Sequence, residues 1–522
     1  MLGANHISTR TGQIVEGRRE TMKLGQLITG MSHCQISGDP EQPINGLAYD
    51  SRQVKPGNLF VALRGHERDG HDYLGDALER GAVALVGESF LGIGENVTKV
   101  RVDDSREALS RLSIQFYNHP FDGLNLIGIT GTNGKTTTSY LLESILTSAG
   151  AKPGVVGTIN YRYSGKSHPA PVTTPESLDL MRFLREMADD GVTDVIMEVS
   201  SHALDQKRTE GCPFKVAIFT NFSRDHLDYH HTMEGYFRAK SLLFSDLLGN
   251  GQNKKNIAIL NMDDPKGVEL AALTQAEIMT YGLREVSDVG AESIAADKAG
   301  LKGDLITPQG KRTFQSPLIG EINVYNILAA SAAAIALDID LDSVVEGIER
   351  LERVPGRLEP VRNKRGLTIV VDYAHTPDAL LKALRDVRPF VKGKLITVFG
   401  CGGDRDKGKR PEMGRVAGEH SDLVFITSDN PRREEPMSII GQIEKGAQES
   451  GMKRVGGSSN HQSKTLGYIM EVDRETAIRQ AISEADIEDF VLIAGKGHED
   501  YQIVGRERRH FDDREVAASA AQ

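Results

Sequence analysis

The 522-residue chain is 39% hydrophobic and 26% charged, proportions typical of a soluble globular enzyme, and its length predicts about three domains. A formal net charge of −11 argues against a general partner such as nucleic acid or a membrane surface, so an anionic substrate must be held by local positive groups. Three widely spaced cysteines, Cys34, Cys212 and Cys401, form neither a disulfide framework nor a zinc signature, which indicates thiols in a reducing, cytoplasmic compartment.

The first residues of the chain do not resemble a secretory signal. Residues 1–21 contain arginines but no apolar core, so they are predicted to be a disordered extension or to precede the natural start. A helical pattern begins at Met22, and short apolar runs at residues 59–63, 82–86 and 99–102 predict strands. We expect a first domain over residues 22–120, without a phosphate-binding loop of its own.

The most informative motif is Gly-Thr-Asn-Gly-Lys-Thr-Thr, which lies between the apolar run 124–129 and a helical segment at 139–148. Its glycines let backbone N–H groups approach phosphate oxygens, its lysine supplies a positive charge, and its first threonine offers a hydroxyl to Mg²⁺. A chance glycine-rich turn is the alternative, but this context predicts binding of a nucleoside triphosphate. The predicted triphosphate-binding residues are Gly131, Thr132, Asn133, Gly134, Lys135, Thr136 and Thr137.

The remaining chain alternates apolar strands with helical patterns, which predicts an α/β fold with mostly parallel sheets in two further domains, 121–354 and 355–522. One longer apolar stretch, residues 327–337, is too short to span a bilayer and predicts a buried helix, so we expect no membrane insertion. Ligands of open α/β sheets bind beyond the carboxyl ends of the strands. Six predicted strands end in polar or glycine-rich clusters, which begin at Glu198, Thr220, Asp372, Gly400, Asp429 and Gly495.

Four of these motifs resemble those of the Mur ligases, the ATP-dependent amide-forming enzymes that build the peptidoglycan stem peptide. They lie in chain order at residues 131–137, 198–202 (Glu-Val-Ser-Ser-His), 221–228 (Asn-Phe-Ser-Arg-Asp-His-Leu-Asp) and 372–377 (Asp-Tyr-Ala-His-Thr-Pro). The resemblance implies three α/β domains: an N-terminal uridine-nucleotide-binding domain, a central P-loop ATPase and a C-terminal Rossmann-like domain for the incoming amino acid. It also implies small-molecule substrates, no nucleic acid and a monomer.

The same resemblance implies that ATP phosphorylates a carboxylate and that an amine then attacks the acyl phosphate. Lys135 would contact the β- and γ-phosphates, while Thr136 and Glu198 hold one Mg²⁺. His226 and Lys240, carbamylated by CO₂, would hold a second Mg²⁺. Asn326, Arg357 and Asp372 would contact adenine and ribose.

Without the resemblance, three of these positions have plainer interpretations. Lys240 lies in a helical pattern that predicts a surface lysine, His226 would be a loop histidine, and Asn326 would pack within an alanine-rich helix. The match to the family's motifs favours the functional roles.

A UDP-muramoyl dipeptide is the implied carboxylate substrate. One departure from the family pattern is Val172, where some relatives carry an asparagine before a threonine pair. The implied dipeptide-binding residues are Tyr49, Ser51, His66, Glu67, Arg68, Thr173, Thr174, Ser200, Gln206 and Arg208.

The cluster at Asp429 bears on which amino acid is added. Meso-diaminopimelate carries a second carboxylate that lysine lacks, and the planar fork of Arg432 suits a carboxylate; a surface arginine after a turn is the alternative. Members of the family that add diaminopimelate resemble this chain here. The implied binding residues are Arg405, Asp429, Asn430, Pro431, Arg432, Gly495 and Glu499.

Three other functions explain the sequence less completely than this ligase. A folylpolyglutamate synthase leaves the first segment unexplained. A P-loop switch protein gives no role to Lys240, Arg405 or Arg432. An inactive relative is disfavoured, because no motif residue expected to be essential is missing.

Overall fold

The computed structural model describes residues 21–65, 68–248, 256–455 and 466–522. Within these ranges the chain divides into two compact units. The first contains the described residues up to Pro120 together with Ser177–Arg182, and the second contains those of Phe121–Glu176 and Phe183–Gln522. None of the described helices is long and apolar enough to cross a membrane.

The first unit contains a small five-stranded sheet and a separate pair of short strands. Its strands are β1 (Met22–Lys23), β2 (Gln35–Ser37), β3 (Pro43–Ile44), β4 (Gly46–Ala48), β5 (Asn58–Val61), β6 (Ala82–Gly87) and β7 (Thr98–Arg101), and its helices are α1 (Leu24–Leu27), α2 (Leu74–Glu79) and α3 (Ser105–Phe116). The sheet order is β2-β7-β6-β5-β4, with β4 to β7 parallel and β2 antiparallel. The three predicted strands are confirmed, whereas Met22 pairs as a strand with β3 instead of starting a helix.

The second unit begins with an eight-stranded sheet. Its strands are β8 (Asn125–Thr130), β9 (Pro153–Val156), β10 (Asn160–Tyr163), β11 (Lys166–Pro169), β12 (Asp194–Glu198), β13 (Phe214–Phe219), β14 (Ile257–Asn261) and β15 (Glu277–Tyr281). The helices of this region are α4 (Lys135–Ser148), α5 (Ser177–Asp189, whose first turns belong to the first unit), α6 (Ser201–Asp205), α7 (Leu227–His230), α8 (Met233–Leu242) and α9 (Pro265–Leu273). The order is β11-β10-β9-β12-β8-β13-β14-β15, and all neighbouring strands pair in parallel except β9 with β10 and β10 with β11.

A small antiparallel sheet and two helices complete this region. They are β16 (Gly290–Asp297), β17 (Gly300–Thr307), β18 (Gly310–Ser316), α10 (Glu321–Ala336) and α11 (Leu341–Arg350). The predicted buried helix is confirmed, since α10 packs with α4 and α11 in one apolar core against the eight-stranded sheet.

A second parallel sheet follows in the same unit. Its strands are β19 (Glu359–Pro360), β20 (Thr368–Asp372), β21 (Leu395–Phe399), β22 (Leu423–Ile426), β23 (Gly467–Met470) and β24 (Phe490–Ala494), followed by the hairpin β25 (Tyr501–Val504) and β26 (Glu507–His510). The helices are α12 (Pro377–Val387), α13 (Lys409–His420), α14 (Pro436–Glu449), α15 (Arg474–Ser483) and α16 (Asp513–Ala520). The order is β19-β20-β24-β21-β22-β23, with α12 to α14 packed on one face and α15 and α16 on the other.

The strand registers bring the predicted motifs together. Ile129 of β8 pairs with Glu198 of β12, and Thr130 pairs with Phe219 of β13. In the second sheet, Asp372 of β20 pairs with Ala494 of β24. Because neighbouring parallel strands end at the same edge, the polar clusters that follow them lie side by side.

Candidate active site

The phosphate loop, residues 131–134, lies between β8 and α4 at the centre of the eight-stranded sheet. Gly131 and Gly134 have φ values of 146° and 88°, which L side chains rarely adopt. A Cβ atom at Gly131 would lie 1.9 Å from Thr220 Oγ1, and one at Gly134 would lie 2.4 Å from Asn326 Oδ1. Only glycine therefore fits at these positions, and α4 begins at Lys135, earlier than the sequence predicted.

Glu198 organises the hydroxyl groups beside this loop. Its Oε2 atom accepts hydrogen bonds from Thr136 Oγ1 at 2.9 Å and Thr158 Oγ1 at 2.8 Å, and its Oε1 atom accepts one from the Thr158 backbone at 3.0 Å. Arg357 donates to Thr136 Oγ1 at 3.2 Å. The buried carboxylate and the threonine hydroxyl form a pair of hard oxygen ligands of the type that Mg²⁺ prefers.

Two lysines converge behind the loop. Lys135 Nζ donates to the carbonyl oxygens of Gly131 at 2.8 Å and Thr132 at 2.9 Å, and Lys240 Nζ donates to the same Gly131 oxygen at 2.9 Å. Lys240 is only 1% exposed, which rules out the surface-lysine interpretation. Burial lowers the pKa of both amines, and the charge of Lys135 lowers the pKa of Lys240 further.

His226 lies at the edge of the same site in a left-handed conformation, with φ of 54°. Burial lowers its pKa to about 3, so its imidazole is neutral near neutral pH and can bind a cation. Its Nε2 atom lies 3.3 Å from the Asp225 carboxylate. Burial acts to raise the pKa of Asp225, but His226, His375 and Lys409 together hold that pKa below its usual range.

The predicted adenine- and ribose-contacting residues close the other side. Asn326 Nδ2 donates to Asn323 Oδ1 at 2.9 Å. The Arg357 guanidinium lies 4.4 Å from the centre of the Tyr373 ring, a cation–π contact. Burial raises the pKa of Asp372, although its carboxylate accepts hydrogen bonds from two backbone N–H groups.

These groups line one cavity of about 220 Å³ within the second unit. It combines residues that follow strands of the eight-stranded sheet with residues that lie just before β19, at the end of β20 and on α12. The predicted site residues that line it are Thr132, Asn133, Gly134, Lys135, Thr136, Thr137, Thr173, Glu198, Ser200, His226, Lys240, Asn326, Arg357 and Asp372.

The predicted dipeptide-binding residues of the second unit form one network. Arg208 donates to the Thr174 carbonyl at 2.9 Å and to Gln206 Oε1 at 2.7 Å, and the Ser200 backbone donates to Thr174 Oγ1 at 3.1 Å. Thr173 and Ser200 also line the cavity. The network therefore borders the triphosphate loop.

The first unit contains the other predicted dipeptide-binding residues. Tyr49 donates from its hydroxyl to Asp179 Oδ2 at 2.6 Å, Ser51 is buried in a 3₁₀ turn, and Arg68 contacts the Tyr73 hydroxyl at 3.5 Å. Two predicted residues lie outside the described ranges: His66 and Glu67.

Arg432 is held rigidly at the end of the second sheet. It adopts φ of 51°, its N–H donates to the Ile503 carbonyl at 3.1 Å, and its own carbonyl accepts from Gly505 at 2.7 Å. Its Nη1 atom donates to the Gly403 carbonyl at 2.8 Å. Burial lowers the pKa of Arg432, and the nearby positive charge of Arg405 lowers it further. A Cβ atom at Gly402 would lie 2.9 Å from Arg432 Nη1 and 3.8 Å from Arg405 Cγ, so both side chains pass the same glycine.

Glu499 contacts the segment that carries Arg432. Its Oε2 atom accepts from Asn430 Nδ2 at 2.8 Å and from Lys496 Nζ at 3.1 Å. Burial raises the pKa of Glu499, and the neighbouring Asp429 carboxylate adds to that rise, whereas Lys496 opposes it. A Cβ atom at Gly495 would lie 2.8 Å from Asp429 Oδ2, so this close approach requires glycine.

Comparison with known proteins matches all three parts of the chain. Family models described as "Mur ligase family, catalytic domain", "Mur ligase middle domain" and "Mur ligase, glutamate ligase domain" match residues 43–117, 129–334 and 356–497. The UDP-N-acetylmuramoyl-L-alanyl-D-glutamate--2,6-diaminopimelate ligase of Geobacter metallireducens is 49% identical over 503 residues, covering 96% of this chain and 98% of its own length. The chain belongs to the Mur ligase family.

Two further members of the Mur ligase family support this. The equally named ligase of Geobacillus thermodenitrificans is 46% identical and covers 96% of this chain and 99% of its own length. A solved structure of a ligase with that name is 33% identical, with a TM-score of 0.65 and coverage of 96% and 99% of the two chains. The three-domain α/β architecture that the motifs implied is thereby confirmed.

Some residues of this Mur ligase site were not predicted from the sequence, among them Lys496, Asn323 and Thr158. Lys496 lies in the Gly-Lys-Gly-His-Glu motif, which could have indicated it. Asn323 precedes Asn326 by one helical turn, which could have indicated a shared face. Thr158 belongs to no recognised motif, and only the folded chain brings it to Glu198.

Proposed function

We propose that this Mur ligase joins meso-diaminopimelate to the D-glutamate carboxyl group of UDP-N-acetylmuramoyl-L-alanyl-D-glutamate, with ATP as the energy source. Two relatives similar over their full length are named for this reaction. The observation that carries the proposal here is that Arg405 and Arg432 both pass Gly402, where a Cβ atom would lie 3.8 Å from Arg405 Cγ and 2.9 Å from Arg432 Nη1, while Glu499 is hydrogen-bonded to Asn430. We assign the enzyme to the cytoplasmic stage of peptidoglycan precursor synthesis, acting as a monomer.

The reaction forms and breaks two sets of bonds. A carboxylate oxygen of the dipeptide attacks the γ-phosphorus of ATP, which gives an acyl phosphate and releases ADP. The amine of diaminopimelate then attacks the acyl carbon, phosphate leaves, and the nitrogen loses a proton. Lys135 and Arg357 lie where they can oppose the negative charge of the phosphates, and the buried cavity limits competition from water.

The donor set fits Mg²⁺. Among the described residues, no three His, Cys, Asp or Glu side chains lie close enough to hold a metal ion by themselves. The proposed ligands therefore include other groups: Thr136 with Glu198 for one ion, and His226 with a carbamylated Lys240 for a second. Bound Mg²⁺ would neutralise charge on the transferring phosphate.

Lys240 has the chemistry that carbamylation requires. Only a neutral amine attacks CO₂, and both burial and the nearby Lys135 favour the neutral form. The product is a carbamate anion and a released proton, so a neutral amine beside Lys135 becomes a negative group, and a protonated Lys240 is avoided. The modification therefore relieves the repulsion between the two lysines.

The arginine pair explains why diaminopimelate is favoured over lysine. A distal carboxylate can accept hydrogen bonds from Arg432 and Arg405, whereas lysine leaves both without that partner. The cost, about 1–3 kcal/mol, falls mainly on Arg432, which is partly buried, because Arg405 is exposed. Glu499 can accept a hydrogen bond from the substrate ammonium. The substrate's carboxylate and ammonium are thus both matched.

A ligation assay tests the proposal. Purified protein is incubated with ATP, Mg²⁺, the UDP-muramoyl dipeptide and either meso-diaminopimelate or lysine, and the product mass is measured. We expect the diaminopimelate tripeptide, with phosphate release that requires both co-substrates, and at least about tenfold lower kcat/KM with lysine.

Two outcomes would contradict it. Phosphate release without any conjugate of higher mass would favour a P-loop switch. Ligation of glutamate to a folate in place of the muramoyl substrate would favour a folylpolyglutamate synthase.

A further inference from the structure

Two loops carry the arginines of the amino-acid site. The first loop, residues 400–408, joins β21 to α13 and contains Arg405. The second loop, residues 427–435, joins β22 to α14 and contains Arg432. Arg405 and Arg432 can both contact one substrate carboxylate only if the two loops keep a fixed position relative to each other.

The loops touch each other directly. Gly403 donates its N–H to the Asn430 carbonyl at 2.9 Å and accepts at its own carbonyl from Arg432 Nη1 at 2.8 Å. A Cβ atom at Gly403 would lie 1.9 Å from the Pro431 carbonyl oxygen. This contact is close but has few bonds, so something else must hold the loops together.

An ion pair between the loops provides that connection; its arginine is fully buried, and its glutamate side chain is 16% exposed. Arg410, in the first turn of α13, is fully buried, and its two terminal nitrogens donate to the two carboxylate oxygens of Glu434 at 2.9 and 2.8 Å. The same guanidinium donates to the Gly402 carbonyl at 3.1 Å and to Gln442 Oε1 at 3.0 Å. Arg410 therefore ties the first loop, the second loop and α14 to one planar group.

Glu434 completes the connection from the other side. Its Oε1 atom accepts from the Asp404 backbone at 2.7 Å, next to Arg405. The Arg410 hydrogen bonds lower the pKa of Glu434 to about 2, so the carboxylate is charged throughout the neutral range. Desolvation offsets much of the attraction within a buried ion pair, so what this pair chiefly supplies is fixed geometry.

We propose that Arg410 and Glu434 are positioning residues for selection of the diacid: they fix the register of the two loops and so hold Arg405 and Arg432 ready for one carboxylate. This inference rests on the proposed function. Arg410 is fully buried and forms an ion pair with Glu434. The pair therefore influences substrate binding only through the position of the two loops.

Kinetics of Glu434→Gln and Arg410→Gln test this role. We expect KM for diaminopimelate to rise about tenfold or more, because the arginines lose alignment. KM for ATP and for the dipeptide should change less than about twofold, and the preference for diaminopimelate over lysine should fall. If the two residues act as one unit, the double variant should be no worse than either single variant.

Matched controls separate positioning from stability. Arg415 and Glu419 form an exposed ion pair on the same helix, 3.0 Å apart, and Arg415→Gln should leave all three KM values unchanged. Glu434→Asp keeps the charge with a shorter side chain, and it should give an intermediate loss of preference if Glu434→Gln does not fold.

The outcomes distinguish the two claims. If the wild-type protein does not ligate diaminopimelate, the proposed function fails. If it does, but folded variants lose activity equally with diaminopimelate and lysine, or lose kcat alone, then only the positioning role of Arg410 and Glu434 is wrong.

Discussion

At the scale of single residues, Lys240 is the most demanding position in the site. A buried amine beside a second lysine is unfavourable unless it is neutral or modified. We expect Lys240→Ala to lower turnover at least about 100-fold, since it removes a preorganised charge, while leaving ATP affinity much less affected. Single-turnover phosphate release and equilibrium binding of ATP measure the two effects.

The carbamate on Lys240 can be tested with the wild-type protein. Removing CO₂ from the buffer should lower wild-type activity, and bicarbonate should restore it. Lys266→Ala serves as the control: this lysine pairs with Glu269 at the surface, so the variant should show the same dependence on CO₂ as the wild type. Full wild-type activity in carefully CO₂-free buffer would contradict the carbamate.

Sequence patterns predicted these residues unequally. Lys135 and Glu198 lie in compact motifs at strand ends, so the residues next to them in the sequence indicate their roles. Lys240 looks like a surface lysine because its burial depends on the phosphate loop, which is distant in sequence. Arg410 and Glu434 escaped prediction for the same reason: only the packing of α13 on α14 brings them together.

At the scale of elements, the contact between α13 and α14 sets the spacing of the two arginine loops. A Cβ atom at Gly446 would lie 1.8 Å from the Pro411 carbonyl oxygen, and one at Gly414 would lie 2.0 Å from the Ile443 carbonyl oxygen. The helices can approach this closely only because glycines face each other. The loops that begin both helices therefore rest on a tightly packed base.

We predict that Gly446→Ala destabilises the fold by about 1–3 kcal/mol, because the added methyl group forces the helices apart. Gly441 lies on the same helix with open space at its Cβ position. Gly441→Ala should therefore be neutral or stabilising by up to about 1 kcal/mol. Urea unfolding of the two variants measures the difference, and equal effects would rule out this account of the interface.

Element prediction succeeded where burial is uniform and failed where pairing is distant. Strands such as β21 and β24 are buried along their whole length, so they appear in the sequence as apolar runs. The start of α4 was predicted too late, because polar threonines occupy a first turn that is buried by the sheet. The first turns of α5 belong to the first unit through contacts that no local pattern contains.

At the scale of the molecule, the second unit joins its two parallel sheets through Asp378 on α12. One carboxylate oxygen of Asp378 accepts from Asn133 Nδ2 at 3.0 Å, Ser223 Oγ at 2.8 Å and Lys382 Nζ at 2.9 Å. An exposed ion pair, Arg224 with Glu412 at 2.7 Å, adds to the same junction. ATP chemistry on one sheet and amine binding on the other require such a connection.

We predict that Asp378→Ala uncouples the two sheets without damaging the phosphate loop. The loop keeps its bonds to the first sheet, since Thr220 Oγ1 donates to the Asn133 carbonyl at 2.6 Å and Asn221 Oδ1 accepts from the Asn133 N–H at 3.0 Å. Affinity for ATP should therefore change less than about twofold, whereas kcat for ligation should fall about tenfold because acyl phosphate and amine meet less often. Calorimetric ATP binding and steady-state ligation separate these quantities.

Arg224→Ala is the matched control for Asp378→Ala, because it removes the exposed contact of the same junction. An exposed ion pair contributes at most about 1 kcal/mol, so kcat should fall less than about fivefold. Small-angle scattering with an ATP analogue and the dipeptide should show compaction of the wild type and of Arg224→Ala, but less for Asp378→Ala. A loss of ATP affinity with kcat intact would place Asp378 in nucleotide binding and not in the coupling of the sheets.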